Sequence, residues 1–254
     1  MVFTNELSDP LFEFHTYTIE NLNWYTHFHE SFEICFVIEG SIDIKIGTKL
    51  YTLKKNDGLI IFPKQLHSYE TKEYSNLQIV TFLPKFISEF SEKYKNMVPE
   101  INKLNGLEKY IHILYENNKF IRKGILYYIL GKFSMNTEFV LESNNEESQI
   151  LFEILKYIEK NYMYKCSLKS ISVELSYSYT YLSKIFNEQM HVNFSQYLNK
   201  YRINRAVYIL SSKNKIQIQE VASLCGYESL CSFNRNFKYF TGCTPREMIN
   251  GNKI

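Results

Sequence analysis

Four side chains in the N-terminal part of the sequence combine residue types that bind transition metals. His27 and His29 are separated by one residue, Glu33 follows on the same segment, and His67 lies further along the chain. Three imidazoles and a carboxylate are a suitable ligand set for Fe, Mn, Ni or Zn. Because side chains two residues apart in a strand point to the same face, His27 and His29 would face together. The same four residues could instead contact an organic effector or make purely structural polar contacts, so three interpretations stay open here.

The segments around these residues alternate apolar and polar side chains in the way that is typical of β-strands. Short runs of this kind, separated by Gly and Pro, predict a β-sandwich or a β-barrel. The runs cover residues 33–40, 41–47, 50–53 and 58–63.

A run near the C-terminus has the residue types of a helix-turn-helix in the expected order. Ala222 is small where a second helix must cross, Gly226 suits a turn with positive φ, and Ser229 suits a helix N-cap. Phe233 and Phe237 lie four residues apart and would be buried on one face of the new helix. The exposed side chains of that helix are the candidate DNA contacts, namely Cys231, Asn234, Arg235 and Lys238.

The same pattern occurs upstream, with Ser172 as the small residue and Ser178 as the N-cap. Leu182 and Phe186 would be buried, and the candidate DNA contacts are Thr180, Ser183 and Lys184. The repeat extends into the following turn, where His191 stands in the place of Gly242. His tolerates the left-handed backbone region better than most residues, so we expect the same turn there. Beyond the second copy, Thr244, Pro245 and Glu247 form the pattern of a capping box that starts a final helix.

Two helix-turn-helix units joined by a helix and followed by Gly-x-Thr-Pro resemble the AraC/XylS family of transcription regulators. The resemblance covers residues 149–250 and is densest at residues 181–186, 197–206 and 226–245. It implies that the two units bind successive major-groove segments on one face of promoter DNA. It also favours a homodimer. We expect the protein to contact RNA polymerase and to act as an activator, although the sequence does not disclose the sign of regulation.

The N-terminal motifs resemble a second family. His27-x-His29-x(3)-Glu33-x(6)-Gly40, followed by Gly58-x(4)-Pro63-x(3)-His67, is similar to the two motifs of cupins. In cupin enzymes these ligands hold a divalent metal inside the barrel. The cupins that are fused to this type of DNA-binding domain mostly lack the metal and use the barrel as an effector pocket or a scaffold. The resemblance therefore implies an effector pocket at His27, His29, Glu33 and His67, with no catalytic residue, no committed metal and no cofactor.

Charge separates the two halves of the chain. Residues 150–254 contain 14 Lys and Arg against 7 acidic residues, whereas residues 1–149 contain 15 against 20. A basic half beside an acidic half is expected when only one half meets phosphate.

The five Cys form no Cys-x-x-Cys pair, which argues against a disulfide framework or a zinc knuckle. No signal peptide and no membrane-spanning run are recognisable, so we expect a cytoplasmic protein that does not contact a membrane.

The region between the two halves is expected to be helical over residues 84–141. One apolar stripe contains Leu104, Leu107, Tyr110, Ile111 and Leu114, and a second contains Ile121, Ile125, Tyr128, Ile129 and Phe133. Both stripes would cover the barrel. The second helix also carries Gly124 and Gly131 one heptad apart, which favours a subunit contact.

Together these patterns predict an α+β protein with a cupin-like β-barrel and following helices, then an all-α double helix-turn-helix. The expected boundaries are a sensing barrel at residues 1–83, a helical covering or dimerisation segment at 84–141, a linker at 142–148, and a DNA-binding domain at 149–254. The expected function is that of a sequence-specific transcription regulator controlled by an unknown small-molecule effector. Two alternatives remain: a cupin metalloenzyme fused to a DNA-binding domain, and a regulator controlled by a protein partner.

Overall fold

The computed structural model describes residues 13–106, 109–141, 146–212 and 216–251. The chain divides into two compact units, and the division falls between Ser143 and Asn144. We call them the N-terminal unit and the C-terminal unit and describe each by itself.

The described residues of the N-terminal unit contain ten strands, β1 to β10 in chain order. Their bounds are Phe14–Glu20, Trp24–His27, Phe32–Ile46, Lys49–Lys54, Gly58–Ile61, His67–Glu70, Ser75–Phe82, Met97–Pro99, Lys103–Leu104 and Phe139–Leu141. Eight of them form one sheet, and β10 pairs with β8 in a separate small ribbon.

The long strand β3 organises the sheet. Its first half pairs with β7 and β5, in the order β1-β7-β3-β5-β9, and its second half pairs with β4 and β6. The halves meet at Gly40, which has φ +77°, and a Cβ there would overlap the carbonyl oxygen of Tyr74. Only glycine therefore fits this position without moving the backbone.

The mixed architecture of strands and helices is as expected, but the closed barrel is not. Among the described residues, the outer strands β1 and β9 form no pairs with β2 or β4 that would close the sheet. The reason is that β3 bends and folds the two halves of one branched sheet face to face. Apolar side chains from both halves then fill the space between them, as in a sandwich.

Alternation along β3 gives this strand two buried faces. Ile34 and Phe36 pack in a cluster with Leu126 and Leu130 of the following helix. Cys35, on the opposite face, packs in the cluster between the two halves of the sheet. The first half of the sheet is therefore covered on both sides.

The segment after β7 is only partly helical. It contains a 3-10 turn at Pro84–Ile87, α1 at Ser88–Lys93, a second 3-10 turn at Ile111–Tyr115 and α2 at Lys119–Ser134, with strands β8 and β9 between them. The helix expected along the first apolar stripe is wrong, because Leu104 lies in β9 and Gly106 adopts φ +72°, which interrupts a helix. Leu107 lies outside the described residues.

The second stripe does form a helix, α2. The Asn118 side chain caps its N-terminus by accepting hydrogen bonds from the N–H groups of Phe120 and Ile121, at 2.9 and 3.1 Å. Ile129 and Phe133 are buried, whereas Ile121 and Tyr128 are exposed. Only part of the stripe therefore covers the sheet.

The C-terminal unit is all-helical over its described residues. Its helices α3 to α9 span Glu146–Asn161, Leu168–Glu174, Tyr179–Met190, Phe194–Ser212, Ile218–Leu224, Leu230–Thr241 and Pro245–Gly251. Helix α3 begins within the expected linker, where Glu146 and Glu147 favour a helix N-terminus electrostatically. The rest of that linker, residues 142–145, lies outside the described residues.

Candidate functional site

Helices α7 and α8 form the second helix-turn-helix, and its turn follows the expected chemistry. Gly226 adopts φ +77°, and the N–H of Tyr227 donates to the carbonyl oxygen of Ala222 at 3.0 Å. This is the hydrogen bond of a Schellman motif, which ends a helix sharply. Ser229 then caps α8, since its hydroxyl accepts from the N–H of Ser232 at 3.2 Å.

Helices α4 and α5 form the first unit with the same devices but without a glycine. Ser176 takes the left-handed position with φ +57°, and the N–H of Tyr177 donates to Ser172 at 3.2 Å. Ser178 caps α5 through the N–H of Tyr181, at 3.2 Å. The turn is one residue shorter than in the second unit. The sequence comparison missed the role of Ser176, because this shift of one residue moves it out of line with Gly226.

Both recognition helices also end in the same way. His191 after α5 has φ +54° and Gly242 after α8 has φ +79°. Each N–H donates to the carbonyl four residues earlier, at 3.0 and 2.9 Å. The left-handed conformation expected at His191 is therefore confirmed.

The expected capping box at the start of α9 is also present, because the N–H of Thr244 donates to Glu247 and the N–H of Glu247 donates to the Thr244 hydroxyl.

The outward face of α8 carries the side chains expected to contact DNA. Phe233 and Phe237 are fully buried. The exposed candidates are Cys231, Asn234, Arg235 and Lys238. A helix that is anchored by buried residues on one face and exposes polar side chains on the other is compatible with insertion into a major groove.

The outward face of α5 is similar, with one correction. Leu182 and Phe186 are buried, and Thr180 and Lys184 are exposed. Ser183 is only half-buried rather than exposed, and its hydroxyl lies 3.4 Å from the donating amide of Asn187 on the next turn. Position 183 therefore sits at the edge of the exposed face.

Helix α6 joins the two units and packs on both. Near its start, Phe194 and Tyr197 contact the ring of Phe186 of α5, with centroids 5.4 and 5.6 Å apart. Further along, Asn199 accepts a hydrogen bond from the Tyr227 hydroxyl at 3.0 Å. The helix has 19 residues and is therefore about 28 Å long. With the width of the units added, this length is compatible with major-groove segments about 34 Å apart.

The four candidate pocket residues of the N-terminal unit come together between the two halves of the sheet. The ring centroids of His27 and His67 lie 4.1 Å apart, and those of His29 and His67 lie 4.9 Å apart. Glu33 Oε2 lies 3.1 Å from His29 Nε2, and the hydroxyl of Tyr69 donates to the other oxygen of Glu33. Tyr69 was not predicted from the sequence. It lies on β6 and pairs with Ile44 of β3, and this pairing is known only from the strand register.

Burial controls the charge of this cluster. Burial and the neighbouring His29 lower the pKa of His27 to about 4, and burial lowers the pKa of His67 well below its usual value. Burial would raise the pKa of Glu33, but the hydrogen bond from His29, the charge of His29 and the Tyr69 hydroxyl together lower it. At neutral pH, His27 and His67 are thus neutral imidazoles beside an ionised carboxylate.

Two family models match this chain and cover its two units. Residues 13–109 match an AraC-like ligand binding domain, and residues 171–251 match a helix-turn-helix domain. The chain belongs to the AraC family. The matches also agree with the placement of the strand-rich and helical units.

Several relatives of this AraC-family chain are named as uncharacterized or putative HTH-type transcriptional regulators. YisR of Bacillus subtilis is 30% identical over 141 residues, and YkgA of Escherichia coli is 32% identical over 106 residues. These alignments cover 55% and 42% of this chain and 48% and 44% of the relatives. SACOL0084 of Staphylococcus aureus is 24% identical over 85% of this chain and 31% of its own length. The chain thus spans less than half the length of these curated relatives.

Solved structures show the same fold over nearly the whole AraC-family chain. ToxT from Vibrio cholerae O395 matches with a TM-score of 0.57 and 15% identity, over 94% of this chain and 99% of that chain. At this identity the match concerns the fold alone.

Within the described residues, no helix is both long and apolar enough to cross a membrane.

Proposed function

We propose that this protein is a sequence-specific DNA-binding transcription regulator whose C-terminal unit reads promoter DNA in the cytoplasm. The observation that carries the proposal is the pair of capped recognition helices, α5 and α8, held by one connecting helix with their polar faces exposed. The excess of basic residues in residues 150–254 supports it, because phosphate contacts supply most of the affinity for DNA. The relatives' names as transcriptional regulators favour regulation over catalysis.

The test is selection of binding sites by the full chain from random duplex DNA. We expect a motif with two parts about one helical turn apart, since each recognition helix would enter one major-groove segment. Arg235→Ala should weaken one part, and Lys184→Ala should weaken binding through the other. Enrichment of no motif by the wild-type chain would contradict the proposal.

The proposed control element is the interior of the N-terminal unit. Four polar side chains that could contact a ligand, His27, His29, Glu33 and His67, lie between the two halves of the sheet. In the same fold, ToxT has been crystallised with an unsaturated fatty acid bound, so this architecture can hold a small effector. A ligand changes DNA binding or transcription only if it binds two states of the protein unequally. A regulator controlled this way should lose its response, but keep its basal DNA affinity, when His29 and His67 are replaced together.

A homodimer through α2 is the proposed quaternary structure. Five residues at heptad spacing form an exposed stripe along this helix and its C-cap: Ile121, Gly124, Tyr128, Gly131 and, at the C-cap, Met135. A Cβ at either glycine would meet no atom within 4 Å, so a second helix could approach closely there. A second copy of this stripe is the partner that fits, because small and apolar residues at this spacing pack helix against helix. Analytical ultracentrifugation of Tyr128→Lys against Lys132→Ala tests it, and we expect only the first to give monomers.

We also propose that the bound protein contacts RNA polymerase and activates transcription. Two recognition helices on one face of the duplex leave the remaining surface of the protein free for such a contact. In vitro transcription from a selected site should rise when the protein is added. A fall would indicate a repressor.

A further inference from the structure

Both recognition helices begin with a large side chain that the fold leaves exposed. Tyr179 is the first residue of α5 and follows the cap Ser178. Leu230 is the first residue of α8 and follows the cap Ser229. The exposed fractions are 55% for Tyr179 and 41% for Leu230. A single exposed apolar side chain is common on protein surfaces, but here the feature occurs at the same place in both units.

The stability of the two helices does not account for these side chains. The serine before each helix supplies the cap, and the buried residues begin three positions further along, at Leu182 in α5 and Phe233 in α8. In the first turn of a helix an acidic side chain is favoured electrostatically, whereas an apolar one is not. The choice of Tyr179 and Leu230 therefore points to a contact outside the helix.

The tyrosines around Tyr179 show the difference between a packed and an unpacked ring. The rings of Tyr177 and Tyr181 contact each other, with centroids 5.8 Å apart. Tyr179 lies between them in sequence, yet its side chain makes no hydrogen bond or ring contact within the part of the chain that the structure describes. Its ring is therefore available to another molecule.

The two side chains lie at the end of each helix that would enter the major groove. In a helix-turn-helix, the N-terminal residues of the recognition helix contact base edges. Leu230 shares a helix face with Asn234, because the two are four residues apart. Tyr179 is followed directly by Thr180. Since residues 150–254 carry an excess of basic side chains, a nucleic acid is the partner that complements this surface.

The apolar feature of the major groove is the C5-methyl group of thymine. The other base edges in this groove present hydrogen-bond donors and acceptors, whereas the methyl is recognised by apolar contact. A leucine side chain and the ring of a tyrosine both offer an apolar surface for such a contact.

We infer that Tyr179 and Leu230 each contact a thymine methyl, so that the bound DNA carries a thymine beneath the start of each recognition helix. The two thymines lie about one helical turn apart, since the two helices enter successive major-groove segments. Such contacts require the proposed DNA binding, on which the inference rests. They add readers of the base sequence that use no hydrogen bond.

The experiment uses the full chain and a duplex obtained by selection, in which single thymines are replaced by deoxyuridine. Deoxyuridine pairs like thymine but lacks the methyl. At two positions we expect the replacement to weaken binding about 4-fold, the effect of one buried methyl group. Tyr179→Ser and Leu230→Ser should each make binding insensitive to one of these two replacements. Fluorescence anisotropy measures the affinities.

Two further variants serve as controls. Tyr179→Phe should keep the sensitivity to deoxyuridine, because the ring makes the contact. If Tyr179→Phe lost that sensitivity, the hydroxyl would be the contacting group and the inference would be wrong at this position. Tyr164→Ser is the matched control, because Tyr164 is 67% exposed and lies between α3 and α4, outside both helix-turn-helix units. It should leave both sensitivities unchanged.

The decisive measurement is made on the wild-type chain and does not depend on the folding of any variant. Equal affinity for the thymine duplex and every deoxyuridine duplex would overturn the inference while leaving sequence-specific binding intact. Sensitivity that persisted in both Tyr179→Ser and Leu230→Ser would overturn it as well, because other residues would then read the methyls. Failure of the selection to enrich any motif would instead remove the proposed function.

Discussion

The guanidinium of Arg202 on α6 donates its Nε–H to the carbonyl oxygen of Tyr162 at 2.8 Å. Its Nη2 donates to the carbonyl of Tyr164 at 3.0 Å, and both carbonyls follow the end of α3. The backbone of Gly226 is close by, since a Cβ at that glycine would lie 2.5 Å from the Tyr162 oxygen. One arginine therefore joins the chain after α3, the connecting helix and the turn of the second helix-turn-helix.

Replacing Arg202 should destabilise the C-terminal unit. Arg202→Met leaves two carbonyls without their charged donor, and we expect the free energy of unfolding to fall by about 2 kcal/mol. Arg202→Lys should be intermediate, because an ammonium cannot reproduce the planar fork. Urea unfolding measures both. Arg246→Met, at an exposed position, is the control and should change stability by less than about 0.5 kcal/mol.

The two glycines that follow helices α7 and α8 should differ in their tolerance of alanine. Both have positive φ, so either alanine variant should lose about 1–2 kcal/mol from backbone strain. A Cβ at Gly242 meets no atom within 4 Å, whereas at Gly226 it meets Tyr162 and Arg202 at 2.5 and 3.0 Å. Gly226→Ala should therefore show the larger loss in thermal unfolding. Equal losses of stability in the two variants would show that the close contact of Gly226 with Tyr162 and Arg202 does not contribute to the effect.

The first helix-turn-helix should gain stability from glycine. Ser176 and His191 are not glycines, yet both adopt the left-handed region. Ser176→Gly and His191→Gly remove this strain, partly offset by the greater freedom of glycine in the unfolded chain, so we expect a gain of about 0.5–1 kcal/mol each. Differential scanning calorimetry measures it. Ser178→Gly, at the N-cap of α5, should instead lose a few tenths of a kcal/mol.

Sequence preference should depend on α8 more than on α5. Arg is the usual bidentate reader of guanine, so Arg235→Ala should weaken binding by about 1–3 kcal/mol and relax the preference at one or two base pairs. Thr180, Ser183 and Lys184 are short or flexible readers, and Ser183 is half-buried. We expect the DNA segment under α5 to tolerate more base changes. Equal intolerance in both segments would count against this difference.

DNA affinity should fall steeply with salt. Phosphate contacts on two turns of DNA release several counterions, which gives a linear decrease of log affinity with log salt concentration. Because the basic excess lies in residues 150–254, the segment 144–254 alone should show a slope similar to that of the full chain per monomer. Fluorescence anisotropy with a labelled duplex measures both slopes. If the folded segment bound DNA with an affinity that did not depend on salt concentration, the prediction that it contacts phosphates would be wrong.

The helix-turn-helix units could be predicted from sequence because their determinants are local. Ser178, Ser229 and Gly226 act on backbone within four residues of themselves, so residue type and spacing were sufficient. Ser176 was missed because the first turn is one residue shorter than the second, so Ser176 does not align with Gly226, and because serine does not itself indicate a left-handed conformation. Its function is visible only once the Tyr177 N–H is seen to reach Ser172.

The N-terminal unit was harder because its determinants are distant in sequence. Apolar spacing around Leu104 fits a helix as well as a strand, and the strand forms because Leu104 pairs with Gly58 of β5. The close approach of β3 to the backbone of Tyr74 depends on Gly40, because a Cβ there would overlap the Tyr74 carbonyl oxygen. Alternation predicts only that His27 and His29 share a face, and the convergence of His67 with them was implied by the resemblance to the two cupin motifs. The contact of Tyr69 with Glu33 depends on strand register.

The two faces of β3 have a mechanical consequence for signalling. Glu33 points to the histidines and Ile34, the next residue, points to the helix that carries the exposed heptad stripe. The two faces are therefore separated by the thickness of one strand and by no loop or hinge. Since close-packed interiors transmit displacement instead of absorbing it, a shift of Glu33 by a fraction of an ångström also displaces Ile34 against α2. The histidine cluster and the buried side of α2 are thus contacted by neighbouring residues of a single strand.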